Sequence, residues 1–378
     1  MTGLDPPELD LLARCARLEA APPAAGGIDW NQLLTLAARH GVRPLLFRNL
    51  PADCPPPVRG SLGEACRNIA LRNLQLTAEL LRLLRGFERA GIPAVPLKGP
   101  ALAASLYGDL GLREFADLDL LFRTADVPAA QALLADHGYH PELPLNRRQF
   151  AAALRSDCEF LLWNESRKVM VEIHWRFAAG TVPFPVSPEA VWKRLETAPL
   201  AGVTVRALAA EDLLLYLCGH AAKHHWEGLK WQCDVAELLR RLAFDWDAVL
   251  ARASAAGASR VLLVSLLVAS QVLDAPVPGP VLERAQKLTA VAALAAAARR
   301  RLGVFEGPES FGHLTRTWRT LESTPARLRH LLRVLFIPTF ADWDAVRLPE
   351  RLYFLYWLVR PVRLVLKQAR RLPILGSR

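Results

Sequence analysis

A chain of 378 residues, 52% apolar and 22% charged, is long enough for two or three packed units and too apolar to be a disordered polyelectrolyte. A net charge of +10 and a pI near 9.7 suit a polyanion, an acidic membrane surface or nucleotide phosphates; six cysteines with no Cys-x-x-Cys spacing exclude a zinc ribbon and read as reduced thiols. Mean hydropathy is +0.15, yet no apolar run reaches a membrane span, and Met1 to Asp10 lacks a secretion-signal pattern, so a cytoplasmic location is expected.

Residues 4 to 20 and 29 to 40 carry helical apolar spacing, separated by a Pro/Ala/Gly stretch, with Asp29 as the cap of the second helix. Pro51 to Pro57 breaks the chain. Residues 58 to 90 then read as one long helix with Ile69, Leu76, Leu80, Leu83, Leu84 and Phe87 on a stripe, ended by Gly91.

Ile92 to Leu97 predicts a short strand, placed at an edge by its two prolines. Lys98-Gly99-Pro100 is a tight turn into a helix over 101 to 107. Strand, glycine turn and helix N-terminus together favour an anion, and Lys98 adds a point charge. Arg113 precedes the strand Asp117-Leu118-Asp119-Leu120-Leu121-Phe122. Strand side chains alternate, so Asp117 and Asp119 share one face, about 7 Å apart, while Leu118, Leu120 and Phe122 enter a core. Such a pair can hold magnesium together with substrate phosphates, though two solvated acids on an edge strand have the same spacing.

A helix over 126 to 137 stops at Gly138-Tyr139, and Asn146-Arg147-Arg148-Gln149 reads as a basic turn. Residues 158 to 163 and 168 to 175 pair as a hairpin through Asn164-Glu165-Ser166-Arg167. Glu172 and His174 then share a face. Glu172 is a candidate for the third acid that two metals need, or an ordinary exposed strand acid; His174 is either substrate-facing or a hydrogen-bonded half-buried histidine. Pro183 to Pro188 is a linker, and 203 to 208 is the last strand.

From Ala210 onward the chain reads as helical. His220 and His224 lie four apart on one helix face. That spacing can bind zinc, but Ala221 stands where a zincin needs its glutamate. The helix pair is expected to roof the cleft, with His220, Lys223 or His224 facing substrate. Trp226 and Trp231 either stack on a base or fill core. Val261 to Leu273 is a buried core helix, Val281 to Arg301 one Ala-rich helix, and 325 to 336 a further one. In 350 to 371 aromatics alternate with arginines, which fits either a terminal helix docked on the protein or an interfacial helix at the inner surface of an anionic membrane.

The set Leu97-Lys98-Gly99, Leu106-Tyr107, Arg113 with Asp117-Leu118-Asp119-Leu120-Leu121, Gly138-Tyr139 and Glu172-Ile173-His174-Trp175 resembles the uncharacterised bacterial nucleotidyltransferase family of the polymerase-β-like superfamily, over roughly residues 30 to 370. His-x-x-Lys-His-x-Trp at 220 to 226, followed by Leu229, Trp231 and Asp234, falls in the same resemblance. It implies an α+β fold: a small mixed nucleotidyltransferase-type sheet with helices. Around it lie an N-terminal helical region (1–90), the core (91–208) and a C-terminal helical domain (209–378). It also implies two Mg²⁺ ions on Asp117, Asp119 and Glu172, with Lys98, Gly99 and Arg113 toward the nucleotide. The implied reaction moves a nucleoside monophosphate from an NTP, ATP among them, to a hydroxyl and releases pyrophosphate. The acceptor could be a small molecule, a saccharide, a peptide or protein, or RNA. Pro100 departs from the Gly-Ser or Gly-Gly usual in the turn, and the Gly99-to-Asp117 spacing is longer than usual. The pattern is also similar to nucleotidyltransferase-like toxins of defence systems acting on tRNA. A nucleotide-holding regulatory module without turnover is the other class left open.

Overall fold

The computed structural model describes residues 4–20, 26–179, 184, 186–304 and 317–369. The long helix forms as the stripe predicts. Helix α4 runs Pro56–Arg89, and Leu76, Leu80, Leu83 and Phe87 are buried along it. Before it come α1 (Pro7–Cys15), α2 (Trp30–His40) and α3 (Arg43–Arg48). Asp29 caps α2 by accepting from the backbone N–H groups of Asn31 and Gln32. The short α3 was not foreseen.

A five-stranded mixed sheet lies under α4. Its strands are β1 (Val95–Pro96), β2 (Asp117–Leu121), β3 (His140–Pro141), β4 (Glu159–Asn164) and β5 (Val169–His174), in spatial order β1-β2-β5-β4-β3. β2 and β5 are parallel and central; every other pairing is antiparallel. The strand predicted over 92 to 97 shrinks to two residues at the edge, because Pro93 and Pro96 cannot donate to a ladder. The β4–β5 hairpin matches its prediction. Its turn is held by Asn164 Oδ1, which accepts from Ser166 Oγ and the Arg167 N–H, both at 2.9 Å.

The alternation of β2 decides which face is which. Leu118, Leu120 and Phe122 join Val171, Ile173, Phe160 and Leu162 beneath α4 and α6 (Val127–Asp136). Phe87 meets Phe122 edge to face at 4.9 Å. The opposite face carries Asp117, Asp119, Glu172 and His174 toward α9 (Ala210–Lys223) and α10 (Leu229–Arg241). The residues read as a basic turn at 146 to 149 instead start α7 (Arg147–Ser156), where Asn146 and Gln149 form a capping box. After the four-residue α8 (Pro188–Val191), β6 (Glu196–Leu200) pairs with β7 (Val203–Ala207) in a separate two-stranded ribbon. β6 escaped the sequence reading because it is short and carries Pro199, which a strand interior disfavours.

A second core joins α1–α3 to α9, α10 and α12 (Ser259–Leu273), with α11 (Trp246–Ala255), α13 (Gly279–Lys287) and α14 (Thr289–Gly303) around it. α12 is the buried helix its apolar run predicts. The single helix predicted over 281 to 301 is two, parted at Leu288, whose extended backbone ends α13 and starts α14. Of the last described helices, α15 (Thr324–Phe336), α16 (Phe340–Ala345) and α17 (Tyr356–Ala369), the latter two pack on the sheet-side core through Trp343 and Tyr356, and α15 packs on α17. Arg370 and Arg371, at the end of the segment read as interfacial, lie outside the described residues. None of the helices described is long and apolar enough to cross a membrane.

Candidate active site

The parallel pairing of β2 with β5 sets Asp119 directly beside Glu172. Apolar burial on the far face fixes that register, because a one-residue slip would turn every side chain over. Next to them β4 places Glu159 opposite His174. The result is a cavity of about 280 Å³. Its floor is Asp117, Asp119, Glu159 and Glu172, and its roof is His220, Lys223, His224, Lys230 and Trp231 from α9 and α10. Lys98 and Arg113 close one side.

Asp119 is the most enclosed of the acids, at 3% exposure. Its Oδ1 lies 2.8 Å from Lys98 Nζ and 3.1 Å from His174 Nε2. Burial opposes its charge, but Lys98 and His174 hold the carboxyl well below the usual range. Burial likewise works against Lys98, and Asp119 and Asp117 outweigh it, so the ammonium is retained. Burial also disfavours a charged His174; hydrogen bonds to Asp119 and Glu172 then raise it to about 9, so it is protonated at neutral pH. His174 Nε2 lies 3.2 Å from Glu172 Oε2, and Nδ1 lies 3.3 Å from Glu159 Oε2. Glu159 falls to about 2 against its burial, drawn down by His174 and Lys223.

Asp119, Glu172 and His174 can bring one ligand atom each within 4.8 Å of one another. Asp119 Oδ2 is buried and has no hydrogen-bond donor. An orphaned carboxylate oxygen beside the Glu172 carboxylate is part of the donor set a hard divalent cation takes. Asp117 stands at the open end of the same strand face and lines the cavity outside that tight trio.

Gly99 precedes the first helical turn with φ +59°, in a region L side chains rarely adopt, and a Cβ there would lie 3.5 Å from the Asp117 carbonyl oxygen. The helix after it is brief: α5 (Pro100–Leu102) passes into a π-helical turn over Ala103–Tyr107. Arg113 lines the cavity, but its fork is taken by Asp234 of α10: Nε donates to Oδ1 at 2.9 Å and Nη2 to Oδ2 at 2.8 Å. Tyr107 Oη donates to the same Oδ1 at 2.9 Å. Asn73 of α4 donates to the carbonyls of Leu110 and Arg113, fixing the loop from below.

The roof is mostly neutral imidazole and paired lysine. Lys223 Nζ reaches both Glu159 oxygens at 2.8 and 3.0 Å. Burial and the neighbouring lysines push His224 down to about 3, and burial with Lys98 lowers His220 well below its ordinary value. His224 stacks on Trp231 at 4.2 Å between centroids. Among the described residues neither histidine has a carboxylate hydrogen-bond partner of the kind that often orients zinc ligands, and His220 Nε2 instead lies 3.5 Å from Lys98 Nζ. Trp226 fills core instead, its Nε1 donating to Ser265 Oγ at 2.7 Å.

All ten residues singled out by sequence therefore meet at one place. Asp117, Asp119, Glu172, Lys98, Arg113, His220, Lys223 and His224 line the cavity; His174 lies beneath Asp119, and Gly99 abuts Asp117. Sequence reasoning passed over Glu159 and Lys230. Glu159 carried a signal: it opens the strand that pairs with the Glu172 strand, on the matching face.

A model of a protein family, described as an uncharacterised nucleotidyltransferase, matches residues 26–274. No curated protein matches. Among solved structures, the solution structure of the antibiotic-resistance factor ANT(2'')-Ia aligns at 15% identity and a TM-score of 0.35, covering 48% of this chain and 91% of that chain. The family match spans well over half the sequence and includes every residue of the cavity. The chain belongs to the uncharacterised nucleotidyltransferase family.

Proposed function

We propose that the cavity transfers a nucleoside monophosphate from a magnesium-bound NTP to a hydroxyl acceptor. Family membership supports nucleotidyl transfer in general. The observation that supports this finer reading is the Asp119–Glu172 register, together with an Asp119 Oδ2 that is buried and has no hydrogen-bond partner. Asp117, Asp119 and Glu172 would hold Mg²⁺, which when bound screens the triphosphate and acidifies a nearby hydroxyl. Lys98, with Gly99 beside it, offers N–H donors to phosphate oxygens, and Arg113 adds positive potential without leaving Asp234. Glu172, the more exposed of the strand-paired acids, takes the acceptor's proton. The acceptor oxygen forms its bond to the α-phosphorus as the bond to the pyrophosphate leaving group breaks. Lys223 and Lys230 stand by for the charge that develops on that group, while the flat His224–Trp231 wall excludes water.

A neighbouring cavity of about 550 Å³ shares Glu159 and is lined by Glu142, Asp157 and Asp344 as well. Its acids favour a neutral or cationic hydroxyl compound over a phosphorylated one, which supports an acceptor site there.

A second reading has an observation of its own. Lys98 and protonated His174 already neutralise Asp119, so the cavity is electrostatically complete for holding a nucleotide without turnover. One experiment separates the two. The protein is incubated with each α-labelled NTP, Mg²⁺ and a cell extract, and pyrophosphate release and the labelled product are measured. Magnesium-dependent release with label in a hydroxyl compound supports transfer. NTP binding that Mg²⁺ leaves unchanged, with no pyrophosphate, supports the module.

A further inference from the structure

Helices α15 and α17 bury polar groups, on α17 beside Tyr356 and Val359, and expose apolar ones. Facing inward are polar groups: His330 on α15, and Arg360 and Arg363 on α17. Arg360 donates to the Val334 carbonyl at 2.7 Å, to Thr339 Oγ1 at 3.0 Å and to buried Asp342 at 2.7 Å; Arg363 reaches the other Asp342 oxygen. This network locks the two helices and α16 together with their polar sides inside.

The outward sides are apolar. On α17, Leu358, Val362, Val365 and Leu366 fall at i, i+4, i+7 and i+8, each more than half exposed, with Trp357 beside them. On α15, Leu328, Leu331, Leu332 and Phe336 form a similar exposed stripe. Phe354, at 61% exposure, extends the surface toward the turn before α17. Twelve of the 21 exposed large apolar side chains of the described residues fall within residues 324–369. Monomeric surfaces rarely concentrate apolar groups in this way without a partner.

The charges around the stripes say which partner. Residues 324–369 carry eight Lys/Arg against three Asp/Glu, and one of those acids is the buried Asp342. Arg329, Arg347, Arg351 and Lys367 are exposed at the borders. A second copy of this face would bring like charge against like charge. An anionic bilayer accepts both halves of the pattern: leucines and aromatics in the acyl boundary, and basic groups among the headgroups.

We propose that α15 and α17 form a peripheral docking face for an anionic membrane. The proposal is independent of the transferase reading, since neither stripe lines the cavity.

The test is co-sedimentation of the full chain with vesicles of phosphatidylcholine alone or with 30% phosphatidylglycerol. The expected result is binding to the anionic vesicles that weakens as salt rises. Leu358→Glu with Val365→Glu lowers the partition coefficient on the order of 100-fold or more. Leu71→Glu, an equally exposed position on α4, leaves it unchanged. Both variants are checked for unaltered Tm, because the mutated side chains are exposed. The proposal is overturned if the chain sediments with neither vesicle, or if the double variant still binds as the parent does. It is equally overturned if the parent self-associates in sedimentation velocity and the double variant does not, which would make the face a contact between copies.

Discussion

Glu172 lies beside Asp119 because two parallel strands are in register, and most of the residues that set the register, Leu118, Leu120, Val171 and Ile173, lie on the other side of the sheet. The two acids nonetheless differ in what they hold. Asp119 is the counter-charge of buried Lys98; Glu172 is partly open to the cavity. Glu172→Gln is expected to lower pyrophosphate release by at least 100-fold while stability changes by less than about 1 kcal/mol. Asp119→Asn is expected to abolish release and also cost about 3–5 kcal/mol, because it strands a buried ammonium. Denaturant melts run beside the activity assay distinguish the two.

Arg113 is expected to matter more for the fold than for nucleotide affinity. A lysine cannot reproduce the bidentate fork on Asp234. Arg113→Lys should lower stability by about 2–4 kcal/mol, and Tyr107→Phe by about 1 kcal/mol, through the same carboxylate. Isothermal titration with an NTP should show a smaller loss for Arg113→Lys than for Lys98→Met. The opposite ranking would make Arg113 the principal phosphate contact.

Gly228 enters α10 with an ordinary φ of −119°, so backbone freedom is not why a glycine stands there. A Cβ at this position would lie 2.8 Å from the Trp231 ring. Gly228→Ala should therefore turn Trp231 off His224, at a cost of about 1–3 kcal/mol. Loss of near-ultraviolet circular dichroism with retained helix content is the expected signature.

His40 ties three helices. Its Nε2 lies 3.0 Å from the Leu302 carbonyl of α14, and its Nδ1 accepts from the Leu229 N–H of α10 at 3.3 Å. Burial, helped by Arg39, pushes it down to about 4. The unfolded chain binds the proton near pH 6.5, so between the two values unfolding takes up a proton. Stability present above pH 6.5 is lost as pH falls toward 4, by about 3 kcal/mol from this group alone. Denaturant midpoints measured across that window should fall accordingly, and His40→Gln should flatten the slope.

Much of the site was legible because strand alternation is a strict rule. Asp117 and Asp119 had to leave the core if Leu118, Leu120 and Phe122 entered it, and the same holds for Glu172 between Val171 and Ile173. The long α4 was legible from its apolar period and the buried α12 from its continuous apolar run. Other features depended on contacts distant in sequence. Nothing local marks Asp234 as the partner of Arg113, 121 residues away. The break at Leu288 was hidden by an Ala-rich run that favours helix on both sides. β6 was hidden by its proline. In the sequence the arginines of α17 fit a docked and an interfacial helix alike, whereas Arg360 and Arg363 point inward to Asp342, a contact that only tertiary packing reveals.

The floor of the cavity rests on the core beneath α4, while its roof belongs to the bundle formed by the first and later helices. The pocket thus lies between two apolar cores, the second of which also takes in Val95 and Leu121 of the sheet. A ligand that touches Asp119 below and Lys223 or Trp231 above stitches them. Differential scanning calorimetry of the free protein should then show a broad or divided melting peak, and saturation with such a ligand should merge it into a single, sharper one at higher temperature.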